Sequence, residues 1–375
     1  MMTHHADVLV VGGGVIGLTS ALELAACGHR VRVIDRQAVG QESSWAGAGM
    51  IPPGDLVSGL MPFHHLSVRS SELWPELVSR LQEMTGLDSE YIRDGALHLS
   101  APGDEATAEQ SVTAWNESGV PAELKQGQEL PSLDHRLELL EQAVCYLPTA
   151  AQVRNPKHLQ ALLAACRQLN VAFHENHEVQ RFERGGDRLE VVHAGEEQFR
   201  ADQIVIATGA WTGELASLLD LEFPVFPVRG QINQYRLSHP LPHVIERGKQ
   251  YLVPRRDGVL LVGSTEEHVG FDRSEHPASI QKLHDFACSL LPELRTQQPE
   301  RQWSGFRPVS ADGLPIMGRS VELQNVVIAS GHYRAGLSLS PVTGEIVRQL
   351  VRGESVEVDL KLFAPERFSS VARQN

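Results

Sequence analysis

The chain has 375 residues, enough for two domains or for one large domain carrying an insertion. Its 33 basic and 47 acidic residues give a formal net charge of −14, which disfavours nucleic acid and anionic membrane surfaces as partners and points to a soluble protein. No basic segment followed by an apolar run opens the chain and no run approaches the length of a membrane span, so the cytoplasm is the expected location.

His4 and His5 fall on a polar stretch ahead of the first apolar run and read as solvated, and no metal site is expected. Cys27, Cys145, Cys166 and Cys288 lack CxxC or zinc-ligand spacing and read as buried free thiols. Residues 8–11 form a short apolar strand, followed by Gly12-Gly13-Gly14-Val15-Ile16-Gly17, an Ala/Leu-rich helix, and a second strand over 31–34 that ends on Asp35. Gly12 permits the tight strand-to-helix turn, Gly14 lets backbone approach a pyrophosphate, and Gly17 lets the helix pack closely on the sheet. The helix N-terminus favours an anion, and Asp35 is placed to accept hydrogen bonds from ribose hydroxyls and to repel a 2′-phosphate. The unit points to an adenine dinucleotide other than NADP and leaves FAD and NAD undecided.

A Gly/Ser/Ala-rich loop over 40–54 comes next, then a helix carrying Leu73, Leu77, Leu81 and Met84 that stops at Gly86. A helix over 157–169 starts behind Asn155-Pro156, read as N-cap and first helical residue. Residues 203–207 are apolar in succession, as in a buried parallel strand, and end in the small turn Thr208-Gly209-Ala210, the kind of strand end where ligands sit in open α/β sheets. Between 225 and 270 the pattern changes to strand-like runs over 232–237, 250–254 and 259–264 with no helix between them, which predicts antiparallel pairing. Another buried strand over 325–329 precedes a helix from about 337 to 353. The order predicts an α/β fold with an α+β substrate part. A Rossmann-like dinucleotide-binding domain, discontinuous over 1–85, 145–222 and 300–375, carries an inserted antiparallel-sheet substrate domain from 86–144 and 223–299.

The run from Trp303 to Gly318, WSGFRPVSADGLPIMG, followed by Gly331-His332-Tyr333-Arg334-Ala335-Gly336-Leu337, resembles the D-amino-acid oxidase family of FAD-dependent oxidoreductases. Ser43-Ser44-Trp45-Ala46-Gly47-Ala48-Gly49-Met50, Ala207-Thr208-Gly209-Ala210-Trp211 and Tyr251-Leu252-Val253-Pro254-Arg255 fall in the order this family shows, so the resemblance spans essentially the whole chain. Within the family the chain looks most like the branch of glycine oxidases, which supply dehydroglycine for the thiazole of thiamine.

That resemblance implies non-covalent FAD. Gly12, Gly14, Val15 and Ile16 match residues at the pyrophosphate, Asp35 and Arg36 those at the adenosine ribose, and Val179 a backbone contact to adenine. Ser43, Ser44, Ala48, Gly49 and Met50 match the path from phosphate to flavin, with Thr208 and Gly209 at the strand-end turn. His332, Tyr333, Arg334, Ala335, Gly336, Leu337 and Ser338 match the turn at the pyrimidine side of the isoalloxazine. A helix starting there turns its positive end to the N1–C2=O edge, where reduced flavin is negative. Some amine oxidases of the wider group attach flavin through a cysteine near the C-terminal end, but the last cysteine here is Cys288, which excludes attachment at that place.

An α-amino acid presents a carboxylate, and a guanidinium offers the planar fork that matches it. Arg307 and Arg334 lie beside apolar and glycine-rich sequence, and Arg334 is the expected carboxylate clamp, with the Tyr251 hydroxyl as a further donor. These three are the candidate catalytic residues. The expected chemistry needs no side-chain nucleophile: hydride passes from Cα to flavin N5, dioxygen is reduced to hydrogen peroxide, and the imine hydrolyses to a 2-oxo acid and ammonia. The implied partners are a small amino-acid or amine substrate and dioxygen, in a homo-oligomer, with a homotetramer similar to the glycine oxidases. The resemblance places Glu266 where a glycine-selective pocket carries an apolar side chain, and Lys249 stands two residues before Tyr251; whether they face the pocket is left open. An oxidase of D-amino acids or sarcosine, a dehydrogenase with a non-oxygen acceptor, and a non-catalytic dinucleotide-binding module are the alternative readings.

Overall fold

The structure is a computed structural model that describes residues 2–56, 59–100, 105–126, 129, 136–138 and 143–368. The parts of the expected segments 1–85, 86–144 and 300–375 that fall at 1, 57–58, 101–104, 127–128, 130–135, 139–142 and 369–375 lie outside the described residues.

The first strand, Thr3–Val11, pairs in parallel with Val31–Ile34 on one side and Glu197–Ile206 on the other. Val326–Ser330 and Ala172–His174 extend the parallel sheet outward, Ile316–Arg319 closes one edge antiparallel, and the hairpin Val179–Gly185/Arg188–Ala194 continues from Glu197–Ile206. Each central strand is apolar on both faces because both are covered. Val8 and Val10 pack under the helices Val15–Ala26, Asn155–Gln168 and Ser340–Arg352, whereas Leu9 and Val11 pack toward the hairpin and the Thr212–Ser217 helix. Fully burying such side chains contributes about 1.5–3 kcal/mol each.

A second sheet runs in the order Arg301–Ser310, Val225–Arg236, Val259–Gly263, Gln250–Pro254, Val244–Arg247, Ala96–Leu99, Ala143–Leu147, Glu123–Gln126. It is antiparallel as expected over 225–270, with one parallel contact, between Val244–Arg247 and Ala96–Leu99. Two strands beside the expected divisions at 145 and 300 take their partners in the second sheet. Arg301–Ser310 pairs along its whole length with Val225–Arg236, and Ala143–Leu147 pairs with Ala96–Leu99, so both belong to the second sheet. Their backbone groups find partners far away in sequence, and a local apolar pattern does not say which ones.

The helix expected to stop at Gly86 spans Met61–Thr85 and ends there, with Gly86 at φ +73. Asn155–Gln168 begins behind Arg154 with no side-chain cap; Asn155 instead donates from Nδ2 to the Ser44 carbonyl at 2.7 Å, tying the helix to the 40–54 loop. Cys145, Cys166 and Cys288 are buried free thiols, but Cys27, just past the end of its helix, is exposed.

Candidate active site

A cavity of about 420 Å³ runs from the glycine loop, past the carboxyl ends of the parallel strands, to the facing surface of the second sheet. Gly12, Gly14, Val15, Ile16, Asp35 and Arg36 line one end, with Val179 beside them. Gly12 sits at φ +107, and a Cβ there would lie 2.4 Å from the Ala207 carbonyl oxygen, so the turn requires glycine. The Asp35 carboxylate accepts the Gly13 amide at 2.7 Å and the Gln37 amide at 3.0 Å; burial nevertheless holds its pKa above the usual carboxylate value. Arg36 stacks its guanidinium 3.8 Å over the Trp211 ring, and Trp211 also lines the cavity, a contact that local spacing does not reveal.

Ser43, Ser44, Ala48, Gly49 and Met50 follow along the wall. Ser44 Oγ accepts the Val15 amide at 2.9 Å, which fixes the loop against the first helical turn. Thr208 and Gly209 line the cavity where Glu197–Ile206 ends. Thr208 and Thr212 share a hydroxyl contact of 3.0 Å, and Thr212 meets Ser330 at 2.6 Å, linking the ends of two neighbouring parallel strands. Of the 332–338 turn, His332, Tyr333, Arg334, Gly336 and Leu337 line the cavity, whereas Ala335 and Ser338 are not among the lining residues. The Ala335 amide donates to the His332 carbonyl, and the Ser338 carbonyl is held by Ser70 Oγ at 2.7 Å and Trp74 Nε1 at 3.0 Å, so both turn toward protein. The His332 ring meets Thr343 Oγ1 at 3.1 Å, and burial pushes its pKa down to about 3, leaving a neutral imidazole.

At the other end the second sheet supplies Tyr251 and Arg307. Tyr251 stands directly across from Gly263, and a Cβ on Gly263 would lie 2.2 Å from the Tyr251 ring. Gly230 plays the same part for Arg307, since a Cβ there would lie 2.3 Å from its Nη2. The lining residues Gly230 and Ser264, with Gly263 behind Tyr251, are site residues missed in the sequence, because the glycines act by leaving room and Ser264 acts as an acceptor for a residue from a distant strand. Arg307 donates to the Thr265 carbonyl at 3.0 Å and to Ser264 Oγ. Among the described residues, no carboxylate lies within ion-pair distance of it. Burial, with the Arg334 cation adding to it, lowers its pKa from the ordinary arginine value.

Arg334, the expected carboxylate clamp, is placed differently from Arg307. It is exposed at the mouth, with Nη2 3.4 Å from the Lys249 carbonyl oxygen. Tyr333 reaches back to give its hydroxyl to Glu266, and Lys249 Nζ donates to the other oxygen of the same carboxylate at 2.6 Å. Glu266 and Lys249 are not among the lining residues; the acid stands behind Tyr333. Burial pushes the Glu266 carboxyl up, but the hydrogen bonds from Lys249 and Tyr333 outweigh it and leave its pKa below the ordinary value. One strand further along the same cross-strand row, Glu246 lies opposite Tyr251 and pairs with His98 at 3.2 Å.

His4 departs from the solvated reading. It lies in Thr3–Val11 with Nε2 3.0 Å from Glu197 Oε2, where His174 Nδ1 and His177 Nε2 also converge at 3.3 and 3.1 Å. Arg32 Nη1, which only donates, stands 2.8 Å from His174 Nε2, so that ring turns its Nδ1 proton to the carboxylate. Three imidazoles thus gather on one carboxylate oxygen.

A family model described as FAD dependent oxidoreductase matches residues 7–350. Glycine oxidase of Pseudomonas aeruginosa is 36% identical over 368 residues, covering 96% of this chain and 98% of that protein. Glycine oxidase of Geobacillus kaustophilus is 34% identical over 373 residues, covering 98% of each. The bifunctional protein ThiO/ThiG of Synechocystis is 32% identical over 381 residues, covering 98% of this chain and 55% of that protein. Among solved structures, the crystal structure of glycine oxidase from Geobacillus kaustophilus superposes with a TM-score of 0.92 at 32% identity, covering 97% of this chain and 99% of that one.

Proposed function

The chain belongs to the FAD dependent oxidoreductase family of the D-amino-acid oxidase type, and from that premise we propose that it oxidises glycine and other small amino acids or amines. The observation that carries this reading is Arg307, a cation on the cavity wall beside Tyr251 whose partners are a carbonyl and a hydroxyl. An enclosed guanidinium without a carboxylate partner is costly unless a ligand brings one. A small amino acid does so.

FAD fits the residues of the long arm. Gly12, Gly14 and the first turn of Val15–Ala26 line the cavity at the positive end of that helix, where a pyrophosphate would sit, and the Asp35 carboxylate lies on the same wall for ribose hydroxyls. The 332–337 turn would hold the pyrimidine side. Bound there, FAD would supply a two-electron acceptor for the hydride of the substrate Cα, with dioxygen as the final oxidant. The protein's own part is orientation. Arg307 offers its fork to the carboxylate, the Tyr251 hydroxyl adds a donor, and Arg334 adds positive potential at the mouth. With the carboxylate held and the amine neutral, the Cα–H has a defined direction, and no side chain is required as nucleophile. For glycine the balance is glycine, dioxygen and water to glyoxylate, ammonia and hydrogen peroxide.

The imine that precedes hydrolysis is dehydroglycine, and the likeness to ThiO/ThiG proteins supports a place for it in thiazole formation for thiamine. A homo-oligomer in the cytoplasm accords with this reading. The test is a panel of glycine, sarcosine, D-alanine and D-proline with the FAD-loaded protein, following peroxide, ammonia and the 2-oxo acid. Turnover of glycine supports the proposal; activity confined to bulky D-amino acids, or to an artificial acceptor in place of dioxygen, would replace it.

A further inference from the structure

We propose that Glu266 is a positioning residue that sets the size of substrate admitted at the Arg307 end of the cavity, by holding Tyr333 and Arg334 in place from outside it. This rests on the reading of the site as an amino-acid oxidase. Tyr333 adopts φ +49, a left-handed conformation uncommon for a residue with a bulky side chain, and it is kept there by contacts at both of its ends. Its amide donates to the Pro308 carbonyl at 2.7 Å, and its hydroxyl donates to Glu266. Glu266 is in turn pinned by Lys249 Nζ at 2.6 Å. The ring so held forms cavity wall together with Tyr251 and Arg307, and the next residue along the chain is Arg334.

Two residues that face the substrate end are therefore governed by an acid that is not itself on the wall. Glu266 also acts on them through charge, being within electrostatic reach of Arg307 and Arg334. Its negative charge competes with a substrate carboxylate for the same cations, while its hydrogen bond keeps the Tyr333 ring across the cavity. The two effects separate by substitution. Glutamine keeps an acceptor for the Tyr333 hydroxyl and removes the charge; alanine removes both. Tyr333→Phe removes the hydroxyl and leaves the charge.

The experiment uses the FAD-loaded protein and reads kcat and KM separately for glycine and for D-proline. Acetate, which has the carboxylate but no amine, serves as a probe of clamp affinity through its perturbation of the flavin spectrum. Glu266→Ala and Tyr333→Phe are expected to raise kcat/KM for D-proline relative to glycine by tenfold or more. Glu266→Gln is expected to leave that ratio within about twofold of the parent while acetate binds more tightly. The proposal is overturned if Glu266→Ala leaves the D-proline to glycine ratio unchanged, or if Glu266→Gln shifts it as far as alanine does. Tyr333→Phe keeps the proposal testable should the alanine variant fail to fold. A parent enzyme whose flavin no amino acid reduces overturns the reading of the site and the proposal with it, whereas an active parent with an unmoved ratio overturns the proposal alone.

Discussion

Gly263 faces Tyr251 across two antiparallel strands at a distance that admits a hydrogen and no methyl group: a Cβ on Gly263 would approach the Tyr251 ring to 2.2 Å. The tyrosine is thus held over the cavity by the absence of a side chain opposite it. Gly263→Ala should push the ring aside without touching the dinucleotide arm. Overpacking of this kind costs about 1–3 kcal/mol of stability, and with the Tyr251 hydroxyl displaced kcat/KM for glycine should fall by roughly tenfold while FAD affinity, measured by titrating apoprotein, stays near that of the parent.

The two arginines should separate in kinetics. Arg307 is enclosed and Arg334 is exposed, so Arg307→Ala should cost roughly 2–5 kcal/mol in kcat/KM, the range for removing one partner of a desolvated charge pair. Arg334→Ala should cost about 1 kcal/mol or less, as expected of a screened cation. Steady-state kinetics on both variants decide it; an equal or inverted pair of losses would move the clamp to Arg334.

Gly12→Ala tests the dinucleotide arm. The added methyl would meet the Ala207 carbonyl oxygen at 2.4 Å, at a residue whose φ of +107 already disfavours any side chain. Strain of this kind costs of order 1–3 kcal/mol, and it falls where the loop must stay open. Weaker FAD binding by apoprotein titration, together with a lower Tm of the loaded protein, is the expected outcome.

The His98–Glu246 pair adds a pH dependence to stability. Burial pulls His98 down, but Glu246 outweighs it and raises the folded pKa above 6.5; burial pushes Glu246 up, but His98 outweighs it and lowers the folded pKa below 4.5. The histidine's contribution is fully present below 6.5 and is lost as pH rises through the raised value, and the carboxylate's is present above 4.5 and is lost as pH falls through the depressed one. The pair therefore stabilises most in mild acid. The Tm gap between the parent and His98→Gln should narrow from pH 6 toward pH 9; a gap constant across that range would contradict the assignment.

The dinucleotide arm was legible because its constraints are local. The turn at Gly12, the helix that starts at Val15 and the acid at the end of the second strand lie within one short stretch. The second sheet was legible only in part. Its antiparallel centre is signalled by turn residues, but the partners of Arg301–Ser310 and Ala143–Leu147 are long-range and have no local mark. Orientation was hardest to read. Periodicity does not say that Arg307 is enclosed and Arg334 exposed, that Glu266 grips Tyr333 from behind, or that the Ser338 carbonyl is taken by Trp74. Each depends on a neighbour brought in from another part of the chain. His4 was misread for the same reason, since Glu197 meets it only in the folded sheet.

The most direct test of the account is anaerobic addition of glycine to the FAD-loaded protein, following the flavin absorbance in the parent and in Arg307→Ala. The account predicts rapid bleaching of the parent, reversed by air with release of peroxide, and bleaching at least tenfold slower at the same glycine concentration in the variant. A parent that glycine does not bleach, or an Arg307→Ala variant bleached at the parent's rate, would contradict it.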